Sequence, residues 1–388
     1  MNFYKINANT DFNALCDFIK PHKIGQKMMS KKAQIHFFLI KNISTPAANI
    51  LKQDALSVGA ECVTHKDSIL GKSENSNALL MATQAQIQRL VEKEKKQDFG
   101  LKNLAAFLNQ NFEKPKKAKL MAVLNINEDS FNPASRVKKE DFQKRLEAIL
   151  ALKPDFVDIG AVSSRPGSLY CGSDEEFLRL KEPLELIYKN DYFKQSTFSL
   201  DSFDEKCLKF ALDRGFSLIN DIMGLKNEAL AHLAKSYNAS YCLMHIQNEP
   251  HNMQDNPHYD DLLGEIDEFF AKKLEILDTC GVKNVILDIG VGFGKTPKHN
   301  MLLIKHLEHF LHFEKPLLVG ASRKGVINAY FPSEVQERLA GSLYLHLEAF
   351  KNGASIIRTH DLYEHKQAFT LNEIYDKITI QNNFKELI

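Results

Sequence analysis

The chain has 388 residues, 44% of them apolar, and a formal net charge of +1 from 50 basic and 49 acidic side chains. That balance gives no electrostatic pull toward nucleic acid or an anionic membrane, and no apolar run approaches the ~20 residues that would span a bilayer. The six cysteines lie apart without a C-x-x-C pair and MNFYKINANTDF has no basic-then-apolar leader, so reduced thiols and a cytoplasmic location are expected.

The length exceeds one typical barrel by roughly a hundred residues, which predicts a small domain over residues 1–116 and a larger one over 117–388. In the first, KKAQIHFFLIKNI, ECVTH and NALLMAT carry strand signals. TPAANILKQDAL, QAQIQRLVEKEKKQ and LKNLAAFLNQNF carry helix signals, with Ile87, Leu90 and Val91 on one face. This small α/β domain shows no catalytic constellation, and the basic stretch EKPKKAK at Glu113–Lys119 reads as the linker out of it.

From residue 117 the rhythm changes. Eight short apolar runs each stop at a polar residue: KLMAVLN at Asn125, DFVDIG at Asp158, TFSLD at Asp201 and SLIND at Asn220-Asp221. SYCLMH at His245, NVILD at Asp288, PLLVGAS at Ser322 and SIIRTH at Arg358 to His360 complete the set. Helical spacing fills the intervals, including DEEFLRLKEPLELIYK, which Pro183 is expected to interrupt, and the single helix expected over HNMLLIKHLEHFLHF. Strands this apolar belong in a parallel sheet covered on both faces, so the reading is a (β/α)8 TIM barrel preceded by a small N-terminal α/β domain. Barrel active sites form where strands end, and the polar terminators should therefore meet in one mouth. Asp141, Asp174 and Asp204 read as helix caps or first-turn charges, and Gly281 and Gly353 as the glycines that follow helix ends.

Several terminators carry chemistry. Asn125 offers an oxygen that can ligate a hard cation such as Mg2+ or orient a ligand, unless it only satisfies its own loop. In SSRPGS, Pro166 stiffens the turn and Arg165 can grip phosphate or carboxylate with two bonds, the alternative being a surface arginine. Asp201, Asn220 and Asp288 together match the donor edge of a 2-aminopyrimidinone ring, with Asp288 foremost, although any one alone could cap a helix. DIGVGFGKTP mimics a phosphate loop, but Ile289 stands where that loop needs glycine and Pro297 where its helix would already run. Its glycines read instead as letting backbone approach a flat ligand. Ser322 in GASRKG is expected at a helix start, where free N–H groups favour a carboxylate, with Lys324 as a cation for the mouth. Arg358 and His360, two apart on a strand, face one side and suit a diphosphate, pairing with carboxylates being the alternative. His306, His309 and His312 recur at helical spacing without an H-E-x-x-H pattern and read as a partly solvated helix face.

In order and spacing, LNINEDSF, DIGAVSSRPGS, SLDSF, IND, LMHIQNEPHNMQ, LDIGVGFGK, LLVGASRKG, ERLAGSL and IIRTHD resemble dihydropteroate synthase, from about Leu120 to about Tyr363. The resemblance implies a barrel, commonly a homodimer, that joins 7,8-dihydropterin-6-ylmethyl diphosphate to 4-aminobenzoate and releases diphosphate in folate biosynthesis. By position it implies that Asp201, Asn220, Asp288 and Lys324 hold the pterin, with Phe293 near the rings. It places Asn125, Arg358 and His360 on the diphosphate with Mg2+, Asn125 being the metal ligand. Ser164 and Arg165 would shape the 4-aminobenzoate side and Ser322 meet its carboxylate, while Asp201, Arg358 and His360 take part in catalysis.

The chain departs from the family's usual pattern at Asn127-Glu128, at NPAS in place of a glycine pair, at Val162 in place of glutamate and at Ser164 in place of threonine. Ser202-Phe203, Ile289 and Val291 are further departures. The first two loops, and with them the 4-aminobenzoate side, are the parts these changes touch. Two other readings stay open at this point. A pterin-binding barrel for methyl transfer from a reduced folate would share Asp201, Asn220 and Asp288 without needing Arg358 with His360. A catalytically silent pterin-binding protein is the other.

Overall fold

The computed structural model describes residues 1–72, 74–126, 136–162 and 167–378. They divide into two compact units, Met1–Asn111 with the chain from Asn372, and Phe112–Leu371. The first begins with two short helices that the sequence patterns do not announce, α1 (Phe12–Ile19) and α2 (Lys23–Ser30). There follow β1 (Ile35–Ser44), α3 (Thr45–Ser57), β2 (Glu61–Val63), β3 (Asn75–Thr83), α4 (Gln84–Glu94) and α5 (Leu101–Leu108). The strands form an antiparallel sheet in the order β1-β3-β2. Leu51 and Ala55 of α3, Leu80 and Ala82 of β3, and Ile87, Leu90 and Val91 of α4 share one buried cluster. The 3.6-residue and two-residue periods thus converge on a common core.

The second unit alternates strand and helix: β4 (Lys119–Asn125), α6 (Arg136–Ala151), β5 (Phe156–Gly160), α7 (Ser173–Lys189), β6 (Thr197–Asp201) and α8 (Glu205–Leu212). It continues through β7 (Leu218–Asp221), α9 (Ala229–Tyr237), β8 (Ser240–Met244), α10 (Leu262–Thr279), β9 (Val285–Asp288) and α11 (Pro297–Lys305). β10 (Leu317–Val319), α12 (Gly325–Tyr330), α13 (Leu339–Lys351), β11 (Ile356–Thr359) and α14 (Leu362–Lys377), the last as far as Leu371, complete it. All eight strands pair in parallel and close, β11 onto β4 and β9 onto β10. The expected TIM barrel is the fold.

Three local readings need correction. Pro183 does not interrupt its helix: α7 runs through it, with Leu180, Leu184 and Ile187 buried around a buried Pro183, and that packing offsets the lost backbone bond. The single helix expected at HNMLLIKHLEHFLHF is two pieces, α11 and a 3-10 segment over Leu307–Phe313. Asp141 lies inside α6, several residues past its start at Arg136, and so is not at the cap position. Asp204 does cap α8, accepting the Cys207 N–H at 2.9 Å.

Inside the barrel, Met121, Leu218, Cys242, Ile286, Leu318 and Ile356 form a buried layer with Phe156 packed against it. Successive strand side chains alternate between interior and helix layer. The residues two beyond that layer therefore project inward again, one step nearer the C-terminal face, and these are Val123, Asp158, Asn220, Met244, Asp288, Gly320 and Arg358. Neighbours one residue off, such as Ile357 and Ile219, turn out into the larger core between strands and helices. The polar layer is thus fixed by register.

Candidate active site

Arg358 is the hub of that layer. Its Nε donates to Asp158 Oδ2 at 2.7 Å, and its Nη2 donates to Asp201 Oδ2 at 2.7 Å. Asn220 Nδ2 donates to the same Asp158 oxygen at 3.0 Å. Of the two readings of Arg358, the structure has the carboxylate pairing, and to two partners at once. Asp158 is fully buried, and its Oδ1 has no hydrogen-bond partner among the described residues. Burial works against the Arg358 cation, but Asp158 and Asp201 outweigh it and hold the proton on. Burial raises Asp201 to about 7 against the pull of Arg358, and the negative charges of Asp158 and Glu176 add to the rise. One guanidinium cannot fully compensate two carboxylates in a poorly solvated mouth.

Beside this triad sits a second charged pair. Asp288 is buried, accepts the Gly290 N–H at 2.7 Å, and is raised by burial against that bond and the cations Lys324 and Arg358. Lys324 Nζ donates to the Val291 carbonyl at 2.5 Å and lies 4.2 Å from the centre of the Phe293 ring. Burial lowers Lys324 to about 8, with Asp288 and Asp201 pulling the other way. Phe293 is itself buried among Ile222, Met244, Ile246 and Met253. A flat apolar floor thus meets a carboxylate, an amide and an ammonium. Gly292 sits at φ +84°, a left-handed conformation that strains any residue with a side chain, and a Cβ there would also press on Lys324 Cδ at 3.2 Å.

Ser322 and His360 are joined. The His360 backbone N–H donates to Ser322 Oγ at 3.2 Å, and the imidazole Nδ1 lies 3.0 Å from the same oxygen. With the hydroxyl donating to Nδ1, His360 keeps Nε2–H as an outward donor. Burial lowers the proton affinity of His360, and Arg358, Arg323 and Lys324 lower it further. Ser322 does not open a helix, since α12 starts only at Gly325. Behind it, the Ala321 N–H donates to His346 Nε2 at 2.8 Å, and His346 Nδ1 lies 2.7 Å from His365 Nε2. His365 Nδ1 then faces the Asp361 carbonyl at 2.7 Å. Two neutral imidazoles in one tautomeric sense satisfy this chain, and it fixes the β10 and β11 ends against each other.

Asn125 ends β4, exposed, across Gly160 from Asp201. A Cβ at Gly160 would come 3.1 Å from Asn125 Oδ1 and 3.8 Å from Asp201 Oδ2, so the glycine keeps a gap between two oxygen donors. Ser164 and Arg165, with Asn127-Glu128, lie outside the described residues. A cavity of about 270 Å³ borders Asp201 and is also lined by Val162, Tyr170, Glu176, Phe203 and Met223, but not by Asp288 or Lys324.

Some terminators turn elsewhere. Asp221 points away, accepting from Met223 N, Leu225 N and the Tyr241 hydroxyl at 2.8, 2.6 and 2.6 Å. His245 binds the buried Lys295, whose Nζ lies 2.9 Å from His245 Nδ1 and 3.0 Å from the Phe293 carbonyl. That lysine, the K of the phosphate-loop mimic, staples the β9 loop to β8. Two residues have places in the site that the sequence alone does not assign. Asp158 was visible as a carboxylate within an otherwise apolar run but received no role. Glu176, bonded by the Tyr170 hydroxyl at 2.8 Å, brings a carboxylate from α7 into the cavity that Val162 lines, and nothing in its helical setting marked it.

Comparison with known proteins follows the same outline. Residues 121–360 match the family of pterin binding enzymes. The chain is 43% identical over 366 residues to the bifunctional dihydropteroate synthase/dihydropteroate reductase of Helicobacter pylori, covering 93% of this chain and 95% of that protein. A crystal structure of Yersinia pestis dihydropteroate synthase in complex with a sulfonamide drug superposes with a TM-score of 0.62 at 32% identity, over 69% of this chain and 96% of that one. The Clostridium difficile dihydropteroate synthase, solved in the presence of pteroic acid, gives 0.62 at 30% identity over 69% of this chain and all (100%) of that one.

Proposed function

The chain belongs to the pterin-binding enzyme family, and within it to the dihydropteroate synthases; from that membership we propose how its residues carry the synthase reaction. The single observation that supports the assignment of roles is the convergence of Asp158, Asp201, Asn220 and Arg358 with Asp288 and Lys324 above one apolar layer. Asp288 and Asn220 take the amino and ring N–H donors of the pterin edge, with Lys324 and Phe293 along the ring. Arg358 Nη1, which has no partner among the described residues, and the outward Nε2–H of His360 receive the diphosphate. Ser164, Arg165 and Ser322 bound the 4-aminobenzoate side.

The bond from the pterin methylene carbon to the diphosphate oxygen breaks as the arylamine nitrogen bonds to that carbon, and the amine then gives up a proton. Negative charge grows on the leaving diphosphate, where Arg358 and His360 stand ready, already oriented by Asp158, Asp201 and Ser322. Positive charge grows at the methylene, near Asp201. Among the described residues no nucleophile-activating triad is present, and the arylamine needs only positioning. Asn125, an oxygen donor kept open by Gly160, fits Mg2+, which prefers one or two protein oxygens and substrate phosphates; when bound, the ion would neutralise charge on the diphosphate. A homodimer and a cytoplasmic location belong to the same proposal; among the described residues no helix is long and apolar enough to cross a membrane.

Incubating the purified chain with the pterin diphosphate, 4-aminobenzoate and Mg2+ should yield dihydropteroate and diphosphate in equal amounts. No product at saturating substrate would sink the reading and leave a silent pterin binder. One observation favours a second activity. The match to the bifunctional relative spans 93% of this chain and so includes most of the first unit, whereas the two synthase structures stop at 69%. We infer reduction of dihydropteroate, with hydride from a reduced nicotinamide or flavin adding to ring carbon 6 and a proton to nitrogen 5. Supplying dihydropteroate with each donor and finding no tetrahydropteroate would remove this second reading.

A further inference from the structure

His306, His309 and His312 belong to the outer helical layer, and the sequence offers them no carboxylate at a zinc-binding spacing. The fold brings one from forty residues upstream. Asp267, on α10, faces the 3-10 segment Leu307–Phe313, and its Oδ1 lies 2.5 Å from His312 Nε2 and 3.2 Å from His309 Nε2. The change from α to 3-10 geometry matters, because residues three apart eclipse in a 3-10 turn. His309 and His312 accordingly stand one above the other, ring centres 5.3 Å apart, with both Nε2 atoms turned the same way. The three ligating atoms all lie within 4.8 Å of one another.

We propose that Asp267, His309 and His312 form a binding site for a divalent transition metal of the zinc type. Two imidazoles and a carboxylate are a ligand set these ions prefer, and a fourth position is open to water because the three side chains remain 30%, 27% and 9% exposed. Ligand atoms around a tetrahedral ion with ~2.0–2.1 Å bonds sit about 3.3 Å apart. The His309–Asp267 separation already has this value; the His312–Asp267 pair must open by roughly an ångström, a small side-chain rotation. The surroundings suit an ion as well. Phe112 and Phe313 flank the His312 ring and Phe310 the His309 ring, an apolar shell about a polar centre. Neither the strand-end cluster nor the cavity beside Asp201 includes any of the three residues, so the site is separate from the synthase chemistry. Bound metal would clamp α10 to the segment leading into β10.

The test uses the full chain, stripped of metal with a chelator and titrated with Zn2+ by calorimetry and with Co2+ by visible absorption. One equivalent should bind with sub-micromolar affinity, Co2+ should give the intense bands of a four-coordinate site, and Zn2+ should raise Tm. His309→Gln and His312→Gln, which keep an amide to bond Asp267, should each weaken Zn2+ by at least about 100-fold and abolish the rise in Tm. Dihydropteroate synthesis and circular dichroism should stay unchanged, showing that the variants fold. No saturable uptake by the parent chain would overturn the proposal, leaving a hydrogen-bonded Asp–His staple. Unchanged Zn2+ affinity in both variants would also overturn it, placing the ion elsewhere, for instance on cysteine.

Discussion

Removing the Arg358 guanidinium would separate its structural and catalytic contributions. Arg358→Ala leaves Asp158, with 0% of its side chain exposed, and Asp201, with 12%, without the cation that bridges them. Breaking a buried ion pair from one side costs about 3–5 kcal/mol, a large share of the ~5–15 kcal/mol that holds a typical domain. The loss carries a pH signature. Burial already raises Asp201, and without Arg358 the carboxylate rises further. An acid whose folded pKa lies above its unfolded value of about 3.9 binds more protons folded than unfolded. Its contribution to stability is therefore full at low pH and falls as pH rises from ~4 through the folded value. The deficit that Asp201 contributes in Arg358→Ala should be small near pH 5, open above about pH 7 by at most about 1.4 kcal/mol per pH unit, and be clear by pH 9. With no tryptophan in the chain, urea unfolding is best followed by far-ultraviolet circular dichroism at the two pH values. Calorimetry at the higher pH should show weaker binding of the pterin diphosphate and little change for hydroxymethylpterin, with turnover lower by ~10²-fold. A deficit equal at both pH values would refute the carboxylate argument. Equal loss for both ligands in a folded variant would refute the diphosphate contact.

Asp288→Ala removes the buried acceptor proposed for the ring edge, and should cost a few kcal/mol of pterin affinity with the fold kept; unchanged affinity by calorimetry would place the ring edge elsewhere. Gly290→Ala should abolish synthesis and lower Tm, because a Cβ there would stand 1.9 Å from the His245 carbonyl oxygen at φ +65°; a variant with parental Tm would show that the β9 loop relaxes freely. Lys295 tests the opposite sign of linkage. Burial lowers it to about 7, against Asp288, so between ~7 and its unfolded value of about 10.4 the folded state binds fewer protons and stability rises with pH. Between pH 7 and 9 the parent should gain up to about 2.7 kcal/mol over Lys295→Met, and a pH-independent difference in unfolding free energy would mean that Lys295 stays charged.

The fold was legible because eight runs repeat one simple signal. A buried parallel strand has to be apolar on both sides, and its end has to become polar where it meets the mouth, so KLMAVLN and NVILD announce both the strand and the site residue at its end. The same rule marked Asp158 as a polar end, although it lies two residues before the last residue of β5, Gly160; what the rule could not give was its partner, since the bond to Arg358 joins the second and last strands of the barrel. Glu176 was invisible for a different reason. A carboxylate in the first turn of a helix has a sufficient local explanation in the dipole, and its burial depends on Tyr170 and on the neighbouring cavity. Lys295 looked like part of a phosphate loop because the glycines around it are real; what differs is the direction of its side chain, toward His245. The pairing of Asp267 with His309 and His312 depends on where α11 stops and tightens, and element ends are the least legible feature of a sequence.

A barrel mouth selected for stability alone would not be built this way. Asp158, Asp201 and Asp288 share one poorly solvated layer with Arg358 and Lys324, and replacing buried ion pairs with apolar residues of similar volume is often neutral or stabilising. Here the compensation is incomplete. One oxygen of Asp158 has no partner among the described residues, Asp201 divides Arg358 with Asp158, and Lys324 spends its ammonium on a backbone carbonyl. Folding has paid the desolvation of these groups without satisfying them all. Under the roles proposed above, a ligand bringing ring N–H donors at one end and an anion at the other adds partners for both signs at once. Its affinity then comes from bonds that water no longer contests, each worth more than the same bond at the surface. A ligand with the ring but no anion satisfies only the carboxylates and leaves the cations as they were. That asymmetry is why the comparison of pterin diphosphate with hydroxymethylpterin, in the parent chain and in Arg358→Ala, reads the division of labour in this mouth directly.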